Sequence, residues 1–245
     1  MLAESQPQEL PLNFLNDFQS LMFPSTASKS DRLRWFTQGI HTAQMKNDDT
    51  KNKMLCHTWG LVQSNGGPCG VLAVCAGEMI RILGIYEDFN RKISREEAEG
   101  ALCETLGVLL ARASMASPLA GPNDSSTARH QKCVSLVLPK SNDSISMADL
   151  NGCESNAKFN VVNIMSNTPQ SNNDHSISEH LLAKATAKYL SENSRIERFQ
   201  EESGVILFLL SLVMTRGIDC IRSGECGRGY LLNHLNICDV AIHTH

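Results

Sequence analysis

Residues 205–214 read Val-Ile-Leu-Phe-Leu-Leu-Ser-Leu-Val-Met, apolar at every position but Ser211. A helix of that composition has no polar face to turn to water, so most of its circumference must be packed. It is about half the ~20 residues a helix needs to cross a bilayer, so it predicts a buried helix inside a folded core. The rest of the chain must then supply the surround. With 245 residues, 42% apolar and 20% charged, it has the material to do so. One core is the default, because mixed α/β domains of roughly 200 residues are ordinary.

Around this run the pattern predicts an α/β (α+β) chain. Residues 1–30 are rich in Gln, Pro and Ser with one short apolar patch, Leu10 to Phe23, and read as a loosely held, disordered arm. The domain is expected over 31–245, with an ordered start near Arg32 and a surface loop from Lys46 to Lys53. Apolar residues at helical spacing predict a helix from Val71 to Leu83, with Glu78 and Arg81 on its wetter side. A second helix is predicted from Ser94 to Arg112, where Ser94 and Glu97 stand in capping-box spacing. Between 114 and 180 the chain turns to Ser and Asn, and two strand-like runs, Val134 to Leu138 and Phe159 to Ile164, predict a sheet fragment set in long loops. A polar helix from Ser178 to Gln200 and the apolar helix from Gly204 to Arg222 follow. There is no internal repeat.

Charge and cysteine usage remove several classes of function. A net charge of −4 and no dense Lys/Arg block leave no electrostatic footprint for nucleic acid or an anionic membrane, so neither is expected as a partner. The first thirty residues hold no basic n-region followed by an apolar h-region, and a cytoplasmic protein, with the nucleus as a second location, is expected. Nine cysteines, odd in number and widely spaced, read as reduced thiols rather than a disulfide framework. The His-Thr-His ending with Cys220, Cys226 and Cys238 invites a zinc reading, but without any Cys-x-x-Cys pair no metal and no cofactor are expected.

The richest segment is Gly60-Leu61-Val62-Gln63 followed by Ser64-Asn65-Gly66-Gly67-Pro68-Cys69-Gly70. Its glycines and proline exclude regular structure up to the start of the helix. A cysteine at a helix N-terminus has its thiolate favoured by the positive dipole end, and the glycines leave space for an extended peptide to approach. Acyl transfer also needs a donor aimed at the developing oxyanion, and the Gln63 amide, with the backbone N–H of Cys69, is the candidate pair. The bland reading stands beside this one: a cysteine beside a helix is usually a small core residue, and Gln63 an ordinary loop amide. Cys75, Cys103 and Cys133 are assigned as structural on that ground. A phosphate-cradling loop is excluded, because no Lys-Ser/Thr pair follows the glycines and no G-x-G-x-x-G pattern is present.

Gly60-Leu-Val-Gln-Ser-Asn-Gly-Gly-Pro-Cys-Gly-Val-Leu-Ala73 resembles the active-site segment of the MINDY family of deubiquitinases, in the branch whose motif reads Gly-Leu-Val/Ile-Gln followed by Gly-Gly-Pro-Cys-Gly-Val-Leu-Ala. Arg34-Trp35-Phe36-Thr37-Gln38-Gly39 resembles the stretch upstream of that motif, and residues 203–218 a long apolar helix downstream. The resemblance runs patchily over residues 32–222. It implies a papain-like domain whose nucleophile-bearing helix packs on a sheet. It also implies thiol hydrolysis of the isopeptide bond after the C-terminal glycine of ubiquitin, with ubiquitin and polyubiquitin of the proteasome-targeting linkage as partners. By position, Cys69 is the nucleophile and Gln63 the oxyanion donor. The family's general base is a histidine in a segment of the type Trp-x-x-x…His-Phe-x-Val-Leu-Phe. Trp35 and Trp59 are the only tryptophans, so that segment has no counterpart here, and the chain is expected to be a fragment or a variant with a short alternative end. His243 and His245 are weak substitutes, and His57 stands before the motif. The alternatives carried forward are a ubiquitin-binding module without turnover and an unrelated thiol acyltransferase.

Overall fold

The computed structural model describes residues 3–4, 6–11, 13–23, 25–43, 59–64, 66–88, 91–115, 132–140, 158–165 and 175–222. The Lys46–Lys53 loop, His57, His243, His245, Cys226 and Cys238 lie outside them. In chain order the elements are β1 (Ala3–Glu4), β2 (Gln8–Glu9), α1 (Phe14–Met22), α2 (Lys29–Phe36), α3 (Cys69–Leu83), α4 (Arg95–Met115), β3 (Cys133–Pro139), β4 (Phe159–Met165), α5 (His175–Ser191), α6 (Glu197–Gln200), α7 (Gly204–Arg216) and α8 (Ile218–Arg222). The chain is thus a mixed α+β protein, predominantly helical.

β4 is the middle of one antiparallel sheet. β3 pairs along its whole length, Cys133 opposite Met165 through Pro139 opposite Phe159, and β1 and β2 share the other edge. α7 lies along β3, and the reason Ser211 interrupts its apolar run is visible there. Ser211 Oγ accepts the Val137 N–H at 2.9 Å and donates to the Leu207 carbonyl; one turn on, Thr215 Oγ1 accepts the Ser135 N–H at 3.0 Å. Two strand donors that would be orphaned beneath an apolar helix are satisfied by its hydroxyls. α4 packs on α5, α3 and α7, so its polar-looking sequence hides a long buried stripe that includes Leu102, Leu106, Leu109 and Leu110.

The structure changes several expectations. Within the stretch read as an arm, α1 puts Phe14, Leu15 and Phe18 into the core, and Arg222 of α8 closes on Asp17 at 2.7 Å. The patch from Leu10 to Phe23 is amphipathic, and its partner is far away in sequence. The predicted helix over 178–200 breaks at Asn193 and Ser194, both at positive φ, and the one over 204–222 breaks at Gly217, φ 89°. Glu78, expected on the wet side of α3, is buried. Arg81 donates to its Oε1 at 2.6 and 2.9 Å and Arg112 of α4 to its Oε2 at 3.2 Å. Burial alone would raise the Glu78 carboxyl, but the two guanidinium groups outweigh it and hold it below the ordinary glutamate range. α3 itself packs chiefly on α4, and it is α7 that covers the sheet. α7 is apolar at every one of residues 205–214 but Ser211, whereas α3 carries Glu78 and Arg81, and the more apolar helix is the one that lies on the sheet.

Candidate active site

Cys69 is the first residue of α3 and is solvent-exposed. Pro68 precedes it with φ −81° and ψ 33°, and its carbonyl accepts the Leu72 N–H at 3.1 Å, which starts the helical ladder. Proline lacks a side-chain acceptor, so it leaves the N–H groups of the first turn without the usual cap. Gly67 stands at φ 138°, a conformation that L side chains rarely adopt, and this turns its carbonyl back toward the helix. That carbonyl accepts the Cys69 N–H at 2.9 Å and the Cys69 thiol at 3.4 Å. The backbone N–H expected as an oxyanion donor is therefore occupied by the tight turn, and a substrate oxygen reaches it only if Gly67 swings its carbonyl aside.

The turn rests on the end of α2. A Cβ at Gly67 would meet the Trp35 indole nitrogen at 3.4 Å and the Arg34 Cβ at 3.5 Å, and Trp35 is in turn set edge-on against Phe23, centroids 6.1 Å apart. Beyond α2 the chain runs antiparallel to the motif, with Thr42 bridged to Leu61, Val62 N–H bonded to the His41 carbonyl and Ala43 N–H to the Gly60 carbonyl. Gly39 is wedged against the Gln200 and Glu201 carbonyls, where any Cβ would overlap them. Gln63 projects from this braced segment and is exposed, with Val62 half-buried before it. Gln63 and Cys69 thus stand at the two ends of one short surface loop.

The remaining described thiols differ from Cys69. Cys75, two turns along the same helix, is fully buried, and burial, reinforced by the Glu78 charge, pushes its thiol up to about 12. Burial does the same to Cys103, also to about 12, and raises Cys133. His41 is buried with Nδ1 at 3.2 Å from the Gln200 carbonyl, and His180 is exposed on α5. Among the described residues no histidine is hydrogen-bonded to Cys69, and no group of His, Cys, Asp and Glu could hold a metal ion. No helix among them is long and apolar enough to cross a membrane.

The residue that sequence reasoning passed over is Gln38. It was visible only as part of the Arg34–Gly39 stretch, because nothing in the sequence distinguishes a buried amide that braces a loop from an exposed one.

An accessible thiol at the first turn of a helix, reached through a glycine–proline turn and a braced strand, has the layout of a cysteine hydrolase. Residues 19–241 match the family of the deubiquitinating enzyme MINDY-3/4, over its conserved domain, and the chain belongs to that family. Membership implies a cysteine-type hydrolase and ubiquitin as its partner. The matched span begins inside α1 and takes in the whole Gln63–Cys69 loop, the sheet strands β3 and β4, and α7. No curated protein and no solved structure matches the chain.

Proposed function

We propose that this protein hydrolyses isopeptide bonds at the C-terminal glycine of ubiquitin by papain-like thiol chemistry. The observation that carries the proposal is the exposed Cys69 at the uncapped first turn of α3, in a chain of a deubiquitinating family. The Cys69 thiolate attacks the glycine carbonyl carbon, and the Gln63 amide donates to the oxygen as negative charge develops on it. The carbon–nitrogen bond breaks, the lysine amine leaves with one added proton, and water hydrolyses the resulting thioester. Thiol ionisation and amine protonation call for an imidazole, the role that the family resemblance gives to a histidine. The same resemblance supports a preference for polyubiquitin of the proteasome-targeting linkage and action in the cytoplasm and nucleus.

A second reading, a ubiquitin-binding module without turnover, is favoured by one feature: Gly67 holds both the thiol and the N–H of Cys69. Ubiquitin carrying a C-terminal electrophile separates the two readings. Covalent capture that disappears with Cys69→Ala supports the hydrolase. Reversible ubiquitin binding without capture supports the module. A panel of tetra-ubiquitin chains of each linkage then tests the preference, and equal cleavage of all of them would remove it.

A further inference from the structure

We infer that Gln38 is a positioning residue that holds the main chain on both sides of Gln63 and so aims the Gln63 amide. The inference rests on the oxyanion role proposed for Gln63. Gln38 is completely buried, and both ends of its side-chain amide are used. Its Nε2 donates to the Val62 carbonyl at 3.0 Å and to the Gly39 carbonyl at 2.6 Å, while its Oε1 accepts the Ser64 N–H at 2.8 Å.

Val62 and Ser64 are the immediate neighbours of Gln63. In an extended chain the carbonyl of one residue and the N–H two residues later point to the same side, where a neighbouring strand would pair with them. Among the described residues no strand continues there. The ladder from Thr42–Leu61 reaches the Val62 N–H, but the other chain has already turned away, with Ile40 N–H bonded to the Phe199 carbonyl at 2.7 Å. The Gln38 amide, one donor and one acceptor in the right order, replaces the missing strand for one more step. Gln38 is itself anchored, since its carbonyl accepts the Val205 N–H at 3.1 Å in the first turn of α7. The neighbouring Ser203 hydroxyl donates to the Phe36 carbonyl at 3.0 Å. The brace therefore runs from the buried helix to the exposed amide, and an amide aimed at a transition state loses its effect when its base shifts by an ångström or so.

The first test needs no variant. In the wild-type protein the Ser64 amide should exchange with solvent at least ~10-fold more slowly than an unprotected amide, and exchange at the intrinsic rate overturns the brace. The second uses ubiquitin with a C-terminal aldehyde, whose hemithioacetal with a thiol places an oxygen where the oxyanion would form and needs no leaving group. Gln63→Ala should weaken aldehyde binding by about 100-fold. Gln38→Met, which keeps the length of the side chain, should weaken it by ~10-fold, with affinity for unmodified ubiquitin held within about twofold. Gln38→Asn, too short to span Val62 and Ser64, should do the same, so the inference does not depend on one variant folding. In the double variant Gln63→Ala/Gln38→Met the second change should add nothing. Multiplying effects, or parallel loss of unmodified ubiquitin binding, would make Gln38 merely structural and overturn the inference. If Gln63→Ala leaves aldehyde affinity unchanged, the oxyanion role itself fails, whatever Ser64 exchange shows about the brace.

Discussion

The first turn of α3 and the seam between α7 and β3 both set polar atoms at the surface of an apolar helix, and they treat them in opposite ways. At the seam Ser211 is fully buried and both donates and accepts, and Thr215 serves the next strand N–H. At the α3 turn the thiol is exposed, its partner among the described residues is a 3.4 Å contact to the Gly67 carbonyl, and the cap is a proline with no side-chain acceptor. Buried polar groups left unmatched cost more than matched ones return, so an interior tolerates few loose ends. Open valences are affordable only where solvent can fill them, and the exposed turn at Cys69 is such a place.

The largest effect expected from this contrast is on capture by an electrophilic ubiquitin. Cys69→Ala should abolish labelling while leaving the thermal unfolding midpoint within a degree or two, because the side chain removed is exposed. Cys75→Ala should leave labelling in place and lower the midpoint. The reverse pattern would mean that the reactive and structural thiols have been exchanged.

Next in size is thiol selectivity. With its thiol pushed to about 12, Cys75 is ionised in only ~10⁻⁴ of molecules at pH 8, and Cys103 likewise. Iodoacetamide at that pH should modify Cys69 at least ~100-fold faster than either, read by peptide mass spectrometry. The sign for stability follows. In the unfolded chain these thiols ionise near 9, so above that pH the unfolded state holds fewer protons than the native state. Stability should fall as pH rises from about 9 toward 12, and Cys75→Ala should reduce the fall.

Sequence pattern carried the exposed half of this contrast and much less of the buried half. The loop at Cys69 is legible because glycine and proline leave few alternatives, and α3, α4, β3 and β4 lie within a few residues of where periodicity puts them. Ser211 was read as an interruption of an apolar run, and Glu78 as a surface residue. Both are polar residues whose partners, Val137 and Arg112, come from 74 and 34 positions away, and no local pattern encodes a partner at that range. Gln38 was hidden for the same reason, its contacts lying 24 and 26 residues on. In the α1 patch the neighbouring Gln and Pro dominate the composition, while Phe14, Leu15 and Phe18 are what pack.

Two smaller effects sharpen the seam side. Ser211→Ala removes the acceptor for the Val137 N–H in a site closed to water and should cost about 1–3 kcal/mol in denaturant unfolding, with ubiquitin capture unchanged. Glu78→Gln should cost about 1 kcal/mol, since Arg81 and Arg112 remain partly exposed and water replaces much of what they lose. Its pH signature is distinct. The native carboxyl is held below its unfolded value near 4.5, so its contribution is present above that pH and is lost as pH falls below it. The variant should show a flatter acid limb than the wild type, and identical limbs would show that the Arg81–Glu78–Arg112 group contributes nothing.

The hydroxyls of α7 also set a timetable. Ser135 and Val137 leave the ribosome roughly 74 to 80 residues before the side chains that will occupy their N–H groups. At ~5–20 residues per second the nascent chain carries a β-edge with unclaimed donors for about 4–16 s. During that interval the unclaimed donors are open to pairing with a neighbouring nascent chain. A chaperone that shields residues 132–140 until α7 emerges would raise the yield of native protein without altering its stability.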